Sequence, residues 1–134
     1  GPLFPFGYGL GYGTFEWGTC SLSTERCNVA ALENKGLTIS FSVKNTSERG
    51  GYIVPQIYVT DVAASTVRRV KELKAFQKVW LDAGQERNVS LQLGKEAFCL
   101  WNQKMKYVAE PGVFQIELSD SAQTIWKGEF TLCI

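Results

Sequence analysis

The chain has 134 residues, 45% of them hydrophobic, and its 14 basic and 13 acidic side chains leave a formal net charge of +1. A chain of this size buries about two-thirds of the surface its unfolded form exposes, enough for one core and one domain. So even a charge balance offers no field for nucleic acid or an anionic membrane surface, and no apolar run approaches the ~20 residues that cross a bilayer.

In chain order, residues 1–14 (GPLFPFGYGLGYGT) form an aromatic and glycine-rich lead-in, with Pro2 and Pro5 excluding a regular helix. No signal-peptide pattern stands at the start, which is expected of a mature, processed or excised chain. The pattern turns β-like from Phe15, so residues 15–134 are read as the folded domain. Leu37–Val43 alternates apolar and polar residues and runs into a polar, glycine-containing turn at 45–51, which predicts a strand and its loop. Tyr52–Thr60 is β-branched and aromatic, and Pro55 within it predicts an edge position or a bulge. Residues 67–81 predict one or two further strands, and 82–85 a turn. No long helical period appears, and a short helical turn is expected near Lys95–Ala97. Asn88–Leu93, Val113–Leu118 and Ile125–Leu132 complete the set, with Glu110-Pro111-Gly112 as a turn. Seven to eight short strands separated by such turns predict an all-β, immunoglobulin-like sandwich.

Four cysteines, Cys20, Cys27, Cys99 and Cys133, are even in number and show neither a zinc nor a redox C-x-x-C spacing. Two disulfides in a secreted, oxidising setting are expected. Three pairings are open. The favoured one joins Cys20 to Cys27 and Cys99 to Cys133, adding about 2.5 and about 4 kcal/mol by loop entropy.

Several motifs occur together and in order: Phe4-Pro-Phe-Gly-Tyr-Gly-Leu-Gly-Tyr-Gly-Thr-Phe15; Val43-Lys-Asn-Thr46 with Gly50 and Gln56-Ile-Tyr-Val59; Val70-Lys-Glu-Leu-Lys-Ala-Phe76 with Val79, Leu81, Ala83 and Gly84; and Glu110-Pro-Gly112 with Phe114, Ile116 and Leu118. This series resembles the fibronectin type III-like domain at the C-terminal end of family 3 glycoside hydrolases, the family of many β-glucosidases and β-xylosidases. The resemblance implies a fibronectin type III-like sandwich whose partner is the catalytic part of a parent hydrolase. It also implies that the catalytic residues lie in other domains, so none is carried onto this chain. Phe4, Phe6, Tyr8, Leu10 and Tyr12 then fall where such a module meets its neighbouring domain. Pro55, the four cysteines and the stretch 19–34 depart from the family pattern and suggest an altered edge and a stapled insert.

The residues themselves argue against chemistry. The chain has no histidine, which removes the commonest general base and metal ligand, and it has no glycine-rich phosphate loop. No catalytic residue, metal or cofactor is expected. Asp61, Glu72, Asp82, Glu86, Glu96, Glu110, Glu117 and Asp120 read as solvated surface rather than as a glycosidase's carboxylate pair.

Binding is the open question. Trp17, Trp80, Trp101 and Trp126, with five tyrosines, are a heavy aromatic load, and exposed flat rings suit the apolar faces of sugars. Trp101 is expected in the core. Trp80 fits either face. If Ile125 points inward, Trp126 points out, which makes it the first candidate for a sugar platform, joined by Trp80, Gln77 and Gln123. Three readings follow: a non-catalytic module that stabilises the catalytic domains and helps shape substrate access, a carbohydrate-binding module for a plant or microbial polysaccharide, and an independent secreted protein recruited for protein contacts.

Overall fold

The computed structural model describes residues 15–62, 70–101, 107–121 and 123–134. The lead-in residues Phe4, Phe6, Tyr8, Leu10 and Tyr12 and the side chain of Trp101 lie outside the described residues.

The fold is all-β. β1 (Phe15–Leu22), β3 (Leu37–Asn45) and β8 (Glu86–Leu93) form an antiparallel three-stranded sheet in the order β1-β3-β8. A five-stranded sheet has the order β2-β12-β11-β5-β6. Its members are β2 (Arg26–Asn28), β5 (Gln56–Asp61), β6 (Lys71–Phe76), β11 (Gly112–Ser119) and β12 (Thr124–Cys133). Only the β2–β12 ladder in it is parallel. Two short ribbons pair β4 (Gly51–Ile53) with β7 (Val79–Leu81) and β9 (Cys99–Trp101) with β10 (Tyr107–Ala109).

Alternation along the strands builds the core. In β3, Leu37, Ile39, Phe41 and Val43 are buried, while in β11 and β12 the inward row is Phe114, Ile116, Leu118, Phe130 and Leu132. These rows belong to one continuous apolar cluster with Ile57, Val59, Val79, Leu81 and Trp17. Phe98, fully buried, stands edge-on to Phe114 at 5.0 Å between ring centroids and 5.2 Å from Phe130. Cross-strand packing of this kind, rather than hydrogen bonding alone, sets which face of each strand is wet.

Three expectations change. Instead of seven or eight strands, the described residues form twelve, spread over four sheets. Pro55 shows why: it has no N–H to donate, so the run 51–61 divides around Val54–Pro55 into β4 and β5, which join different sheets. Gln77 N donates to the carbonyl that Pro55 still offers, at 3.2 Å.

Second, the stretch 19–34 holds a helix, α1 (Val29–Lys35), in addition to the expected turn at Lys95–Phe98. Asn28 caps α1, its side chain accepting from Ala31 N at 2.8 Å, and Gly36 ends it at φ 71°. Leu32 carries the helix into the core.

Third, all four cysteines are free thiols. Neither Cys20–Cys27 nor Cys99–Cys133 forms a bridge. Cys20 lies on β1 in one sheet and Cys27 on β2 in the other, while Cys99 opens β9 opposite Ala109 and Cys133 closes β12 beside Asn28. A disulfide requires two Cβ atoms directed at each other about 4 Å apart, and no bonded pair forms from these placements.

Candidate functional site

The backbone loop 45–51 positions the most exposed aromatic pair among the described residues. Asn45, completely buried, donates to the carbonyls of Leu81 at 3.0 Å and Arg49 at 2.9 Å. Its side-chain oxygen accepts from Ser47 N and Oγ at 2.9 and 2.8 Å. One asparagine thereby ties the loop to β7 with every side-chain bond satisfied. Immediately after it, Gly51-Tyr52-Ile53 pairs with Leu81-Trp80-Val79, so Tyr52 and Trp80 stand opposite one another on the outer face while Ile53, Val79 and Leu81 are buried.

Tyr52 is 57% exposed and Trp80 43%. Their rings meet edge to face, 4.8 Å apart at 71°. Polar contacts hold both rings: Trp80 Nε1 donates to Asp82 Oδ1 at 2.8 Å, and Lys78 Nζ sits over Tyr52 at 4.2 Å from the centroid. A Cβ at Gly50 would collide with the six-membered ring of Trp80, so glycine lets the indole lie against the loop backbone. Beside it opens a groove of about 460 Å³ lined by Phe15, Ser47, Glu48, Arg49, Gly50 and Gly51.

The expected site is partly brought together. Trp80 is exposed, and Gln77 lies three residues away on the same connection. Gln123 forms the β11–β12 turn, exchanging bonds with Asp120 at 3.0 Å. Ser119, Gln56 and Phe76 stand in line across three strands, which places Gln123 and Gln77 at the same end of the five-stranded sheet. Trp126 differs from expectation: it is half-buried and packs on the core. The register explains it: Trp126 pairs with buried Leu118 in phase with inward Phe130 and Leu132, while a β-bulge between Leu118 and Ser119 leaves Ile125 as the extra residue. Alternation fails there, and both Ile125 and Trp126 turn inward. Gly128 makes room, since a Cβ on it would collide with the Trp126 ring.

Glu117 also departs from its surface reading. It is 4% exposed on the outer face of β11, where Oε2 accepts from Thr124 Oγ1 at 2.8 Å, Ser119 Oγ at 2.9 Å and Lys71 Nζ at 3.2 Å. Burial raises its pKa, but those hydrogen bonds and the Lys71 charge outweigh burial and hold the carboxyl below its ordinary value. The site is a strand-to-strand tie, not an acid-base pair. Burial pushes the Cys20 thiol up to about 12 and raises those of Cys27 and Cys99, so these sulfurs are poor nucleophiles. Among the described residues no group of histidine, cysteine or carboxylate side chains could hold a metal ion, and no helix is long and apolar enough to cross a membrane.

Sequence reasoning missed Tyr52, Phe76 and the loop groove. Tyr52 was within reach, because inward Ile53 forces its neighbour outward.

Comparison with known proteins gives a consistent set of matches. The family described as the fibronectin type III-like domain matches residues 53–122. A periplasmic beta-glucosidase of Salmonella typhimurium is 42% identical over 98% of this chain and 17% of its own length. A beta-xylosidase of Formosa agariphila is 41% identical over 91% of this chain and 16% of its own. The crystal structure of a beta-glucosidase from Listeria innocua in complex with gluconolactone superposes with a TM-score of 0.78 at 39% identity, covering 98% of this chain and 18% of that one. The chain thus spans about a sixth of the length of the curated relatives it matches.

Proposed function

The chain belongs to the fibronectin type III-like domain family, and from that premise we propose that it is a non-catalytic accessory module of a family 3 glycoside hydrolase, bracing the catalytic domains and bordering the substrate's approach. One observation carries this reading: nearly all of the chain aligns with hydrolases such as the Salmonella typhimurium enzyme, yet it accounts for only 17% of that relative's length. The architecture agrees with a fibronectin type III-like sandwich, since the described strands of six residues or more are seven, β1, β3, β5, β6, β8, β11 and β12. Its parent is proposed to act outside the cytosol, a setting supported by the printed name of the periplasmic relative rather than by disulfides.

The test compares the parent hydrolase with and without this module. Deletion is expected to lower the parent's thermal midpoint by several degrees, and the isolated 134-residue chain is expected to release no aryl aglycone from β-glucosides or β-xylosides. An unchanged midpoint and unchanged kcat/KM after deletion would reject the bracing role.

A second reading, a module that also holds polysaccharide, is favoured by the exposed and polar-tethered Tyr52–Trp80 pair.

A further inference from the structure

We propose that Tyr52, Leu73, Phe76 and Trp80 form the face on which this module docks against the rest of its parent hydrolase. The inference rests on the accessory-module reading above, and it assigns the Tyr52–Trp80 pair to a protein contact rather than to polysaccharide.

The four side chains lie on one side of one hairpin. Ile53 pairs with Val79 and, three residues on along each strand, Gln56 pairs with Phe76. The β4–β7 and β5–β6 ladders therefore keep a single register across the break at Pro55, bridged by the Gln77 bond to the Pro55 carbonyl. Burial alternates along it without interruption: Ile53, Pro55, Ile57 and Val59 are buried, while Tyr52, Val54, Gln56 and Tyr58 belong to the outer side. Trp80 stands opposite Tyr52, Phe76 opposite Gln56 and Leu73 opposite Tyr58, so all four share that side. Phe76 is 61% exposed and Leu73 47%. Among the described residues, five of the six exposed large apolar side chains fall between positions 52 and 80, so the exposure is concentrated on this hairpin rather than scattered.

Motif, size and charge identify the occupant. Val70–Phe76 is one of the runs that carry the likeness to the hydrolase module, yet Val70, Leu73 and Phe76 stay outside the core, so packing within this domain does not account for them. A partner common to such modules does, and the relatives devote more than four-fifths of their length to what surrounds this one. Four side chains of roughly 200 Å², each about half exposed, present on the order of 400 Å², or about 800 Å² with a matching area on the partner. That falls within the roughly 600–1,500 Å² of contacts between domains of one chain, and short of the roughly 1,200 Å² that separate proteins bury in a stable complex. A covalently tethered neighbour, held at high effective concentration, therefore suits the strip better than a free partner. Lys71 and Lys78 flank the strip, with Nζ over the Tyr58 and Tyr52 rings at 5.1 and 4.2 Å. Two copies meeting through it would bring these lysines together, whereas carboxylates around an apolar centre on the neighbouring domain complement them. Lys71 and Lys74 also blunt β6 as the edge of its sheet, which leaves its face for docking.

Hydroxyl-radical footprinting read by mass spectrometry compares the full-length parent hydrolase with the 134-residue chain alone. Tyr52, Leu73, Phe76 and Trp80 are expected to label in the isolated chain and to be protected at least about fivefold in the parent. Phe76→Ala should lower the parent's thermal midpoint by a few degrees and leave that of the isolated chain within about one degree, because truncating an exposed side chain costs little until a partner covers it. An equal fall in both proteins assigns Phe76 to the module's own stability and overturns the docking role. Equal labelling of the strip in both proteins overturns this face: if deleting the module still lowers the parent's midpoint, bracing works through another surface, and if it does not, the accessory reading falls as well. Equal labelling that drops only when cellohexaose or xylohexaose is added gives the rings to polysaccharide instead. Protection in the isolated chain that grows with its concentration, with dimers in sedimentation, overturns the tethered neighbour in favour of a second copy.

Discussion

At position 117 a carboxylate sits on the outer face of the central strand β11, flanked in register by Tyr58 on one side and Lys127 on the other. The lysine that reaches it comes from β6, two strands away, and it also lies over the Tyr58 ring at 5.1 Å. The folded-state pKa of Glu117 is depressed, so its contribution is complete above the ordinary carboxyl value near ~4.3 and is lost as pH falls through the lower folded value. Glu117→Gln is expected to cost about 2 kcal/mol at pH 7, discounted for the half-exposed lysine, and the penalty should shrink towards pH 3. Urea denaturation midpoints of both proteins at pH 7, 5 and 3 check this, and a penalty independent of pH would contradict it. Asn45 is the second residue of this kind. Asn45→Ala removes the bonds to the Leu81 and Arg49 carbonyls and the acceptor of Ser47 N and should destabilise by about 3 kcal/mol, with Asn45→Asp recovering only the acceptor half. Neither role was legible from the sequence. Glu117 lies at an outward position of an alternating strand, and its burial comes from Tyr58, Thr124 and Lys71, which only strand order brings near.

Among the elements, β12 shows how one extra residue redirects a face. The bulge at Thr124–Trp126 turns Ile125 inward beside an indole that regular alternation with Phe130 and Leu132 already faces to the core, and Gly128 leaves space for that indole. Gly128→Ala should therefore lower stability by about 1–3 kcal/mol and change the Trp126 fluorescence, because backbone at the centre of the sheet cannot yield to the new methyl. Thermal unfolding and emission spectra of that variant measure both effects. α1 lies at the other end of legibility. Asn28 as cap, Val29–Lys35 as a run of adequate helix formers and Gly36 as stop are all visible in sequence, yet strand-like surroundings mask a helix of only seven residues. Strands with strict alternation, β3, β8 and β11, coincide closely with their predicted limits, because a period of two with one wet face admits only one placement.

For the whole molecule the question is what closes the fold without bridges. Two sheets share one apolar cluster, with Phe98 between Phe114 and Phe130 and Leu32 of α1 reaching the same core. With four free thiols, reductant is expected to leave the thermal midpoint unchanged, and intact mass after alkylation under denaturing conditions should show four adducts without prior reduction. A midpoint that falls in reductant, or two missing adducts, would restore a disulfide. Cys27 and Cys133 illustrate the geometry. The parallel register sets Cys27 beside Leu132 and Cys133 beside Asn28, so the two sulfurs belong to opposite sides of the same sheet.

The sequence by itself determined the class of the fold, the alternating strands, the family and the lack of histidine chemistry, since these follow from periodicity, composition and ordered local motifs. Tertiary structure alone decided which cysteines could meet, which tryptophan faced water and which carboxylate was buried. Each of those outcomes depends on strand order and on single-residue shifts of register, and a period-two pattern reports neither: it is the same whichever strand lies alongside, and one bulge reverses every face beyond it.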